Sequence, residues 1–467
     1  MDGGEPHSAL LESIPFTIER LRKSFASGRT RPLQYRLKQL SALERMLKDC
    51  ESEICQAVRM DLGRSELETR IIETSFIWRE IAFAQKRLHR WARPERVRTP
   101  LLTQPSAASI CREPFGVVLI IGPWNAPFQL VLAPLIGALA AGNCAVIKPS
   151  DLAPASSSLL AAELPRYLDL ECIQVVEGGI SESTALLAER FDYIFYTGNP
   201  RVGRIVLEAA AKHLTPVTLE LGGKSPCIVD RSANLKASAR RIVWGKLLNA
   251  GQVCVAPDYV LVDETVENAL LMHMATAIKE FFGKNPRTSP HIARIVNQGH
   301  FRRLLRLIDG GGEIFVGGEA SEDELYIAPT ILTKTPPNAP IMQEEIFGPI
   351  LPVLSVKSVE EAIAFINQKE KPLAIYVFAE DTSVRRQVIN STSSGAVTVN
   401  YPSLHVALSC LPFGGVGNSG MGAYHGRASF ETFSHHKSVF WKASWPDLSF
   451  AYAPFSKLKE RIVRMLM

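Results

Sequence analysis

The sequence predicts an α/β protein with two doubly wound parallel-sheet domains. Three observations predict this. Short unbroken apolar runs, such as FGVVLIIG (Phe115–Gly122) and CAVIK (Cys144–Lys148), suit strands buried on both faces. Helical patterns separate them, so strand and helix alternate. The chain has 467 residues, enough for two large units at roughly 150 residues per domain.

Taken in order, residues 9–95 carry Leu, Arg, Glu and Lys at helical spacing. Leu43, Met46, Leu47, Ile54, Val58 and Leu62 fall near one stripe, as in amphipathic helices packed on a larger body. ARPERVRTPLLTQPSAAS (Ala92–Ser109) is basic, Pro-containing and Ser/Thr-rich, and reads as an extended arm. The alternation follows: a strand at 115–122, a helix at 128–142, a strand at 144–148, a helix at 157–168, and strands at 173–179 and 192–198. A second unit from about Leu221 offers PCIVD, YVLVD, LPVLSV, IYVFA and GAVTVN as strands.

Composition excludes several classes. Hydrophobic residues make up 46% and charged residues 21%, a soluble globular balance. A net charge of +5 over this length is too dilute for a nucleic-acid surface. The acidic start, MDGGEPHSALLESIPF, does not read as a signal peptide. LVLAPLIGALAAG (Leu130–Gly142) falls short of the ~20 residues that span a bilayer and reads as a buried helix. None of the eight cysteines forms a Cys-x-x-Cys pair or a zinc-like Cys/His spacing. Reduced thiols in a cytoplasmic protein without a metal are expected. The basic amphipathic end, SKLKERIVRMLM, fits either an anionic membrane surface or a helix packed on its own domain.

Open parallel sheets bind ligands beyond the carboxyl ends of their strands. Here those ends read Gly122-Pro123-Trp124-Asn125, Lys148-Pro149-Ser150-Asp151, Gly178-Gly179 and Thr197-Gly198-Asn199-Pro200-Arg201-Val202-Gly203. The last is a glycine-bearing turn opening a helix, suited either to a pyrophosphate or to a helix cap. Lys148 at a buried strand end needs solvent or a partner, and a ribose or phosphate would serve. Asp151 could accept from a ribose hydroxyl or cap a helix.

TLELGGKSP (Thr218–Pro226) carries Glu220 between two leucines before a Gly-Gly turn. Burial there would raise its pKa toward a general base's range. NAGQVCVAPDY (Asn249–Tyr259) sets Cys254 among turn residues, suited either to an accessible thiol that backbone dipoles ease toward thiolate or to a small packing residue of the core. Asn125 offers an amide donor for an oxyanion, or a turn. A thiol nucleophile, a carboxylate base, an amide donor and a dinucleotide cradle are the parts needed to oxidise an aldehyde through a thioester.

The motifs LELGGKSP, LLNAGQVCVAPD, PWN, KPSD, YTGNPRVG, EEIFGP (Glu344–Pro349) and LPFGGVGNSGMG (Leu411–Gly422) resemble, in order, those of the aldehyde dehydrogenase superfamily. The likeness runs from about residue 15 to 445. GQVCVAPDY and YHGRASFETFSHHKS (Tyr424–Ser438) are similar to the class 3 branch, which acts on fatty and aromatic aldehydes. The resemblance implies that Cys254 attacks the aldehyde to give a thiohemiacetal, while Asn125 and the Cys254 N–H hold the oxyanion. Hydride transfer to NAD, or to NADP, then leaves a thioester, and Glu220 activates water to release the acid. It further implies that Lys148 and Asp151 face the adenine-side ribose. Thr197, Gly198, Asn199, Val202, Gly203 and Leu221 would border the cofactor, Glu345 would bind the nicotinamide-side ribose, and Phe347 would pack beside the nicotinamide. The resemblance also implies a Rossmann-like dinucleotide-binding domain at 1–94 and 113–219, a catalytic domain at 220–403, a bridging and oligomerisation arm at 95–112 and 404–445 that would join two copies as a homodimer, and a tail at 446–467.

The sequence departs from the family pattern in three places. Ala126 stands where class 3 members often carry an aromatic residue, which would widen the aldehyde tunnel. Tyr401 and Pro402 follow Asn400 where an acid is usual. Asp151 replaces a Glu, leaving room for a 2′-phosphate and so for dual NAD and NADP use. The rival readings are a coenzyme-A-acylating dehydrogenase, disfavoured by the intact Glu220, and a non-catalytic binding protein, disfavoured by the presence of both Cys254 and Glu220.

Overall fold

The computed structural model describes residues 4–447 and 452–466. Residues 1–3, 448–451 and 467, which belong to the expected cofactor domain and tail, lie outside the described residues.

The apolar runs form strands as their patterning requires. Val117–Ile121, Cys144–Lys148, Ile173–Val175, Tyr193–Thr197 and Val217–Glu220 make a parallel sheet. Numbered by position in the chain, these five strands lie in the order 3-2-1-4-5. That order reverses between Val117–Ile121 and Tyr193–Thr197, and such a switch point opens a ligand crevice. The helix Gln129–Ala141 is buried at every position, so the apolar stretch read as an interior helix is one. Gly137 lets it approach Ser429 and Phe433, since a Cβ there would meet Ser429 Cβ at 2.7 Å.

The N-terminal region forms the helices Gly4–Ala26, Leu33–Asp49, Glu51–Leu62 and Ser75–Trp91, with one π turn at Arg70–Thr74. All six residues of the predicted stripe are buried. They come from two helices meeting at Cys50, whose own N–H still bonds Met46 O.

The second sheet has seven strands. Thr330–Thr333, Ile350–Val356, Tyr259–Asp263, Pro226–Val229, Ala374–Phe378 and Ala396–Val399 run parallel, and Glu313–Val316 adds an antiparallel edge. The edge strand Glu313–Val316 and its neighbour Thr330–Thr333 were not expected. The first is mostly exposed and lacks the unbroken apolar run that marks a two-sided burial.

A third sheet pairs Ser106–Pro114 with Glu95–Val97 and with Ser434–Lys442, all antiparallel. Of the expected arm at 404–445, only this last strand joins it. Gly420–Met421 instead pairs with Val217–Glu220, and the helix Gly426–Thr432 packs on Gln129–Ala141. The buried Phe430 and Phe433 draw this segment into the cofactor-domain core. The tail ends in the helix Lys457–Leu466. Among the described residues, no helix is long and apolar enough to cross a membrane.

Candidate active site

The parallel register places Ile121 beside Lys148 and Tyr196, and Thr197 beside Glu220. The strand tips therefore meet on one rim. Lys148 is buried and donates its ammonium to Pro149 O (2.7 Å) and Gly178 O (2.5 Å). Asp151 is exposed beside Gly179. It does not cap the next helix, whose cap position is Ala153 followed by Pro154. The helix-cap alternative for Asp151 therefore fails.

At the fourth tip, Asn199 caps the helix Pro200–Ala211 by accepting from Val202 N at 3.0 Å. The helix-cap reading of this turn holds, and that cap uses one of the N–H groups a phosphate would take. Gly203 packs on Leu221, which a Cβ would meet at 3.0 Å. Leu221 N donates to Ser419 O. Thr197 Oγ1 is buried with no partner, and Gly198 N donates to Glu220 O.

Glu345 and Phe347 reach this rim from the second domain. Glu345 lies over Gly222, where a side chain would collide with its carboxylate. Burial and the charge of Asp258 push the Glu345 carboxyl up to about 8. Phe347 meets Trp124 edge-on at 5.4 Å, and Trp124 meets His300 at the same distance. A buried unpartnered hydroxyl on Thr197 and a glycine floor at Gly222 fit a dinucleotide. No cluster of three or more metal-binding side chains occurs among the described residues.

Cys254 lies beyond the rim on an irregular segment. Asn249 and Ala250 adopt left-handed φ values of 51° and 53°, which re-aim the chain after the helix Leu235–Leu247. Cys254 keeps part of its surface accessible. Its thiol is pushed up to about 12 by burial, then by the charges of Glu345 and Glu220, while the N–H groups of Cys254 and Val255 pull it down. Glu220 sits fully inside, with both carboxylate oxygens unpartnered. Burial raises its pKa well above the ordinary carboxyl range, as its apolar flanks predict.

Asn125 donates Nδ2 to Gln252 O at 3.0 Å, which leaves its second amide N–H. A network that the sequence reading missed holds it in place. Arg64, fully buried, donates to Glu73 Oε1 (2.8 Å), to Asn249 Oδ1 (3.1 Å) and to Asn125 O. Glu73 also accepts from Gln129 N at 2.7 Å. Asn249 Nδ2 bonds both Asn125 O and Gln252 O. Gln252 in turn ties the Cys254 loop to Arg294 O and Val296 N. The polar pattern of DLGRSELETR gave no sign of this, because Arg64 looks like any charge beside an amphipathic helix. The structure thus gathers Cys254, Glu220, Asn125, Glu345 and Phe347 around one centre. Lys148, Asp151, Thr197, Gly198, Asn199, Val202, Gly203 and Leu221 line the neighbouring rim.

A parallel-sheet crevice with an accessible thiol and an unclaimed buried carboxylate defines a thiol-dependent oxidoreductase class. The chain belongs to the aldehyde dehydrogenase family, whose model matches residues 5–439. It is 52% identical over 425 residues to aldehyde dehydrogenase family 3 member A2 of Rattus norvegicus, covering 91% of this chain and 88% of that protein. It is 49% identical over 433 residues to the rat dimeric NADP-preferring aldehyde dehydrogenase, covering 93% and 95%. Among solved structures, substrate-bound Staphylococcus aureus AldH superimposes with a TM-score of 0.94 at 44% identity, covering 97% and 99%. The chain is a class 3 NAD(P)-dependent aldehyde dehydrogenase.

Proposed function

We propose that Cys254 is the nucleophile, Asn125 the oxyanion donor and Glu220 the water-activating base in the oxidation of medium- to long-chain or aromatic aldehydes. The observation that carries this reading is the contrast at the centre. The thiol receives two backbone N–H dipoles, and the nearby carboxylate has no partner to spend its basicity on.

On attack, the partly accessible Cys254 thiol gives its proton to solvent water, the S–C bond forms and the carbonyl π electrons move to oxygen. The free Asn125 N–H and the Cys254 N–H hold that oxyanion. The dinucleotide, when bound, supplies the hydride acceptor. Hydride departure leaves an acyl group on Cys254 Sγ as a thioester. Glu220 then takes a proton from water, the hydroxide adds to the acyl carbon, and the thiolate leaves with the acid as product. Lys148, Asp151 and Glu345 hold the ribose hydroxyls in this reading. The Thr197–Gly203 turn and Leu221 border the dinucleotide, and Phe347 packs beside its nicotinamide.

Apolar substrates suit a pocket with only Ala126, buried, beside Asn125. The short, exposed Asp151 supports use of both NAD and NADP, in keeping with a relative named NADP-preferring. The exposed Phe440 and Trp441 on Ser434–Lys442 support a homodimer through the three-stranded sheet, and a relative named dimeric agrees. Eight free thiols suit a cytoplasmic protein. The tail helix sets Lys457, Lys459, Arg461 and Arg464 beside exposed Leu458 and Met465, a composition suited to peripheral contact with an anionic membrane.

The test is NADH and NADPH formation over an aldehyde panel by the wild type, Cys254→Ala and Glu220→Gln. Turnover by Cys254→Ala equal to wild type contradicts the assignment. A preference for NAD above ~100-fold, about 2.7 kcal/mol, contradicts dual cofactor use.

A further inference from the structure

The structure buries two histidines that the mechanism does not use, linked to the Cys254 loop through Tyr424 and the Val255 carbonyl. His405 is 9% exposed and His425 1%. None of their four ring nitrogens has a hydrogen-bond partner. Buried polar groups are paired in native proteins, and an unpaired one costs about 1–3 kcal/mol. Two such rings, one on each side of a single phenylalanine, therefore call for polar occupants.

Both rings flank Phe413, His425 stacked at 5.2 Å and His405 tilted at 5.8 Å. They are close enough for the charge of His405 to disfavour protonation of His425. His425 also packs edge-on against Tyr424 at 4.2 Å, and Tyr424 in turn feels the charges of Glu220 and Cys254. The turn Leu404–Ala407, which carries His405, is fixed to the nucleophile's neighbour. Ser403 Oγ donates to Val255 O at 3.0 Å, and Tyr376 Oη donates to the same carbonyl at 2.5 Å. The Tyr376 ring lies 6.4 Å from His405. His425 sits at φ 78°, ψ 132°, a backbone that an L residue adopts only at a cost. Ser429 Oγ, accepting from His425 N at 2.8 Å, holds it there. A leucine or phenylalanine would fill the same apolar surroundings without leaving four nitrogens unpaired.

We propose that His405 and His425 form a polar wall of the aldehyde pocket that reads a hydroxyl or carbonyl oxygen on the aldehyde's chain. The inference rests on the reading of Cys254 as nucleophile. A neutral imidazole offers one donor and one acceptor, and burial keeps both rings neutral. Each ring can meet a hydroxyl, which also donates and accepts. A site built around such a bond discriminates against a substrate lacking it far more sharply than an apolar pocket discriminates by size.

The test uses alkanals of one chain length, with a single hydroxyl moved carbon by carbon, and compares kcat/KM for each with that for the plain alkanal. The wild type is expected to peak at one hydroxyl position. His405→Leu is expected to lower that peak at least ~10-fold while changing the plain alkanal less than ~3-fold. His405→Gln, which keeps a donor and an acceptor, is expected to restore part of the peak. A wild-type profile with no peak overturns the inference, and so does an equal effect of His405→Leu on both substrates. A wild type that oxidises no aldehyde overturns the reading of Cys254 along with it. One that oxidises plain alkanals with a flat profile overturns this inference alone.

Discussion

Two buried glutamates, Glu73 and Glu220, face the same solvent exclusion and resolve it in opposite ways. Burial raises both carboxyls. At Glu73 the Arg64 guanidinium and the Gln129 N–H pull the value back. At Glu220 nothing does, and both oxygens stay unclaimed. The first carboxylate spends its lone pairs on architecture, bracing Asn125 through Arg64. The second keeps them for a proton. An unsatisfied buried acid beside a thiol marks chemistry, whereas a satisfied one marks scaffolding.

Four substitutions sharpen that contrast, from the largest expected effect to the smallest. Cys254→Ala removes the nucleophile and is expected to lower kcat by about 10⁴-fold or more, on the scale of losing a covalent catalyst, with an unchanged Tm. Arg64→Met strands Glu73 without its cation and is expected to cost about 3–5 kcal/mol of stability, read by urea unfolding. That loss would be a structural failure rather than a catalytic one. Asn125→Ala is expected to lower kcat about 10²–10³-fold with little change in stability. Its signature is a kcat loss that exceeds any rise in KM.

The smallest effect is on pH dependence. Glu220 and Glu345 have folded pKa values above their unfolded ones, the latter up to about 8. The folded state therefore holds protons that the unfolded state releases. Their contribution to stability is full below the ordinary carboxyl range and is lost as pH rises through the raised values. Glu345→Gln is expected to flatten the decline in unfolding free energy between pH 5 and about 8. An unchanged slope contradicts the raised value.

Much of the frame was legible in the sequence, because strands buried on both faces announce themselves as unbroken apolar runs. CAVIK and YVLVD form strands at the residues read, and the interior helix was plain from LVLAPLIGALAAG. The exposed strand Glu313–Val316 carries no such run. Local signals, glycine turns and flanking polarity, pointed to Cys254, Glu220, Asn125 and Lys148, whereas Glu345 and Phe347 came only from the family resemblance. Arg64 and Glu73 were not legible, since their meaning depends on Asn125 and Asn249, far away in sequence, and a charged side chain in a helical region looks solvated until its partners are placed. His405 and His425 were hidden for the same reason. Asp151 misled in one respect, because a carboxylate shortly before a helix reads as a cap, yet Pro154 starts that helix and leaves the cap position to Ala153.

The measurement that reaches the central claim most directly is rapid-mixing NADH formation by Glu220→Gln with excess aldehyde. If Glu220 is the base for deacylation, a burst approaching one NADH per active site precedes a steady state about 10²–10⁴-fold slower than wild type. A burst absent together with a wild-type steady rate would contradict it.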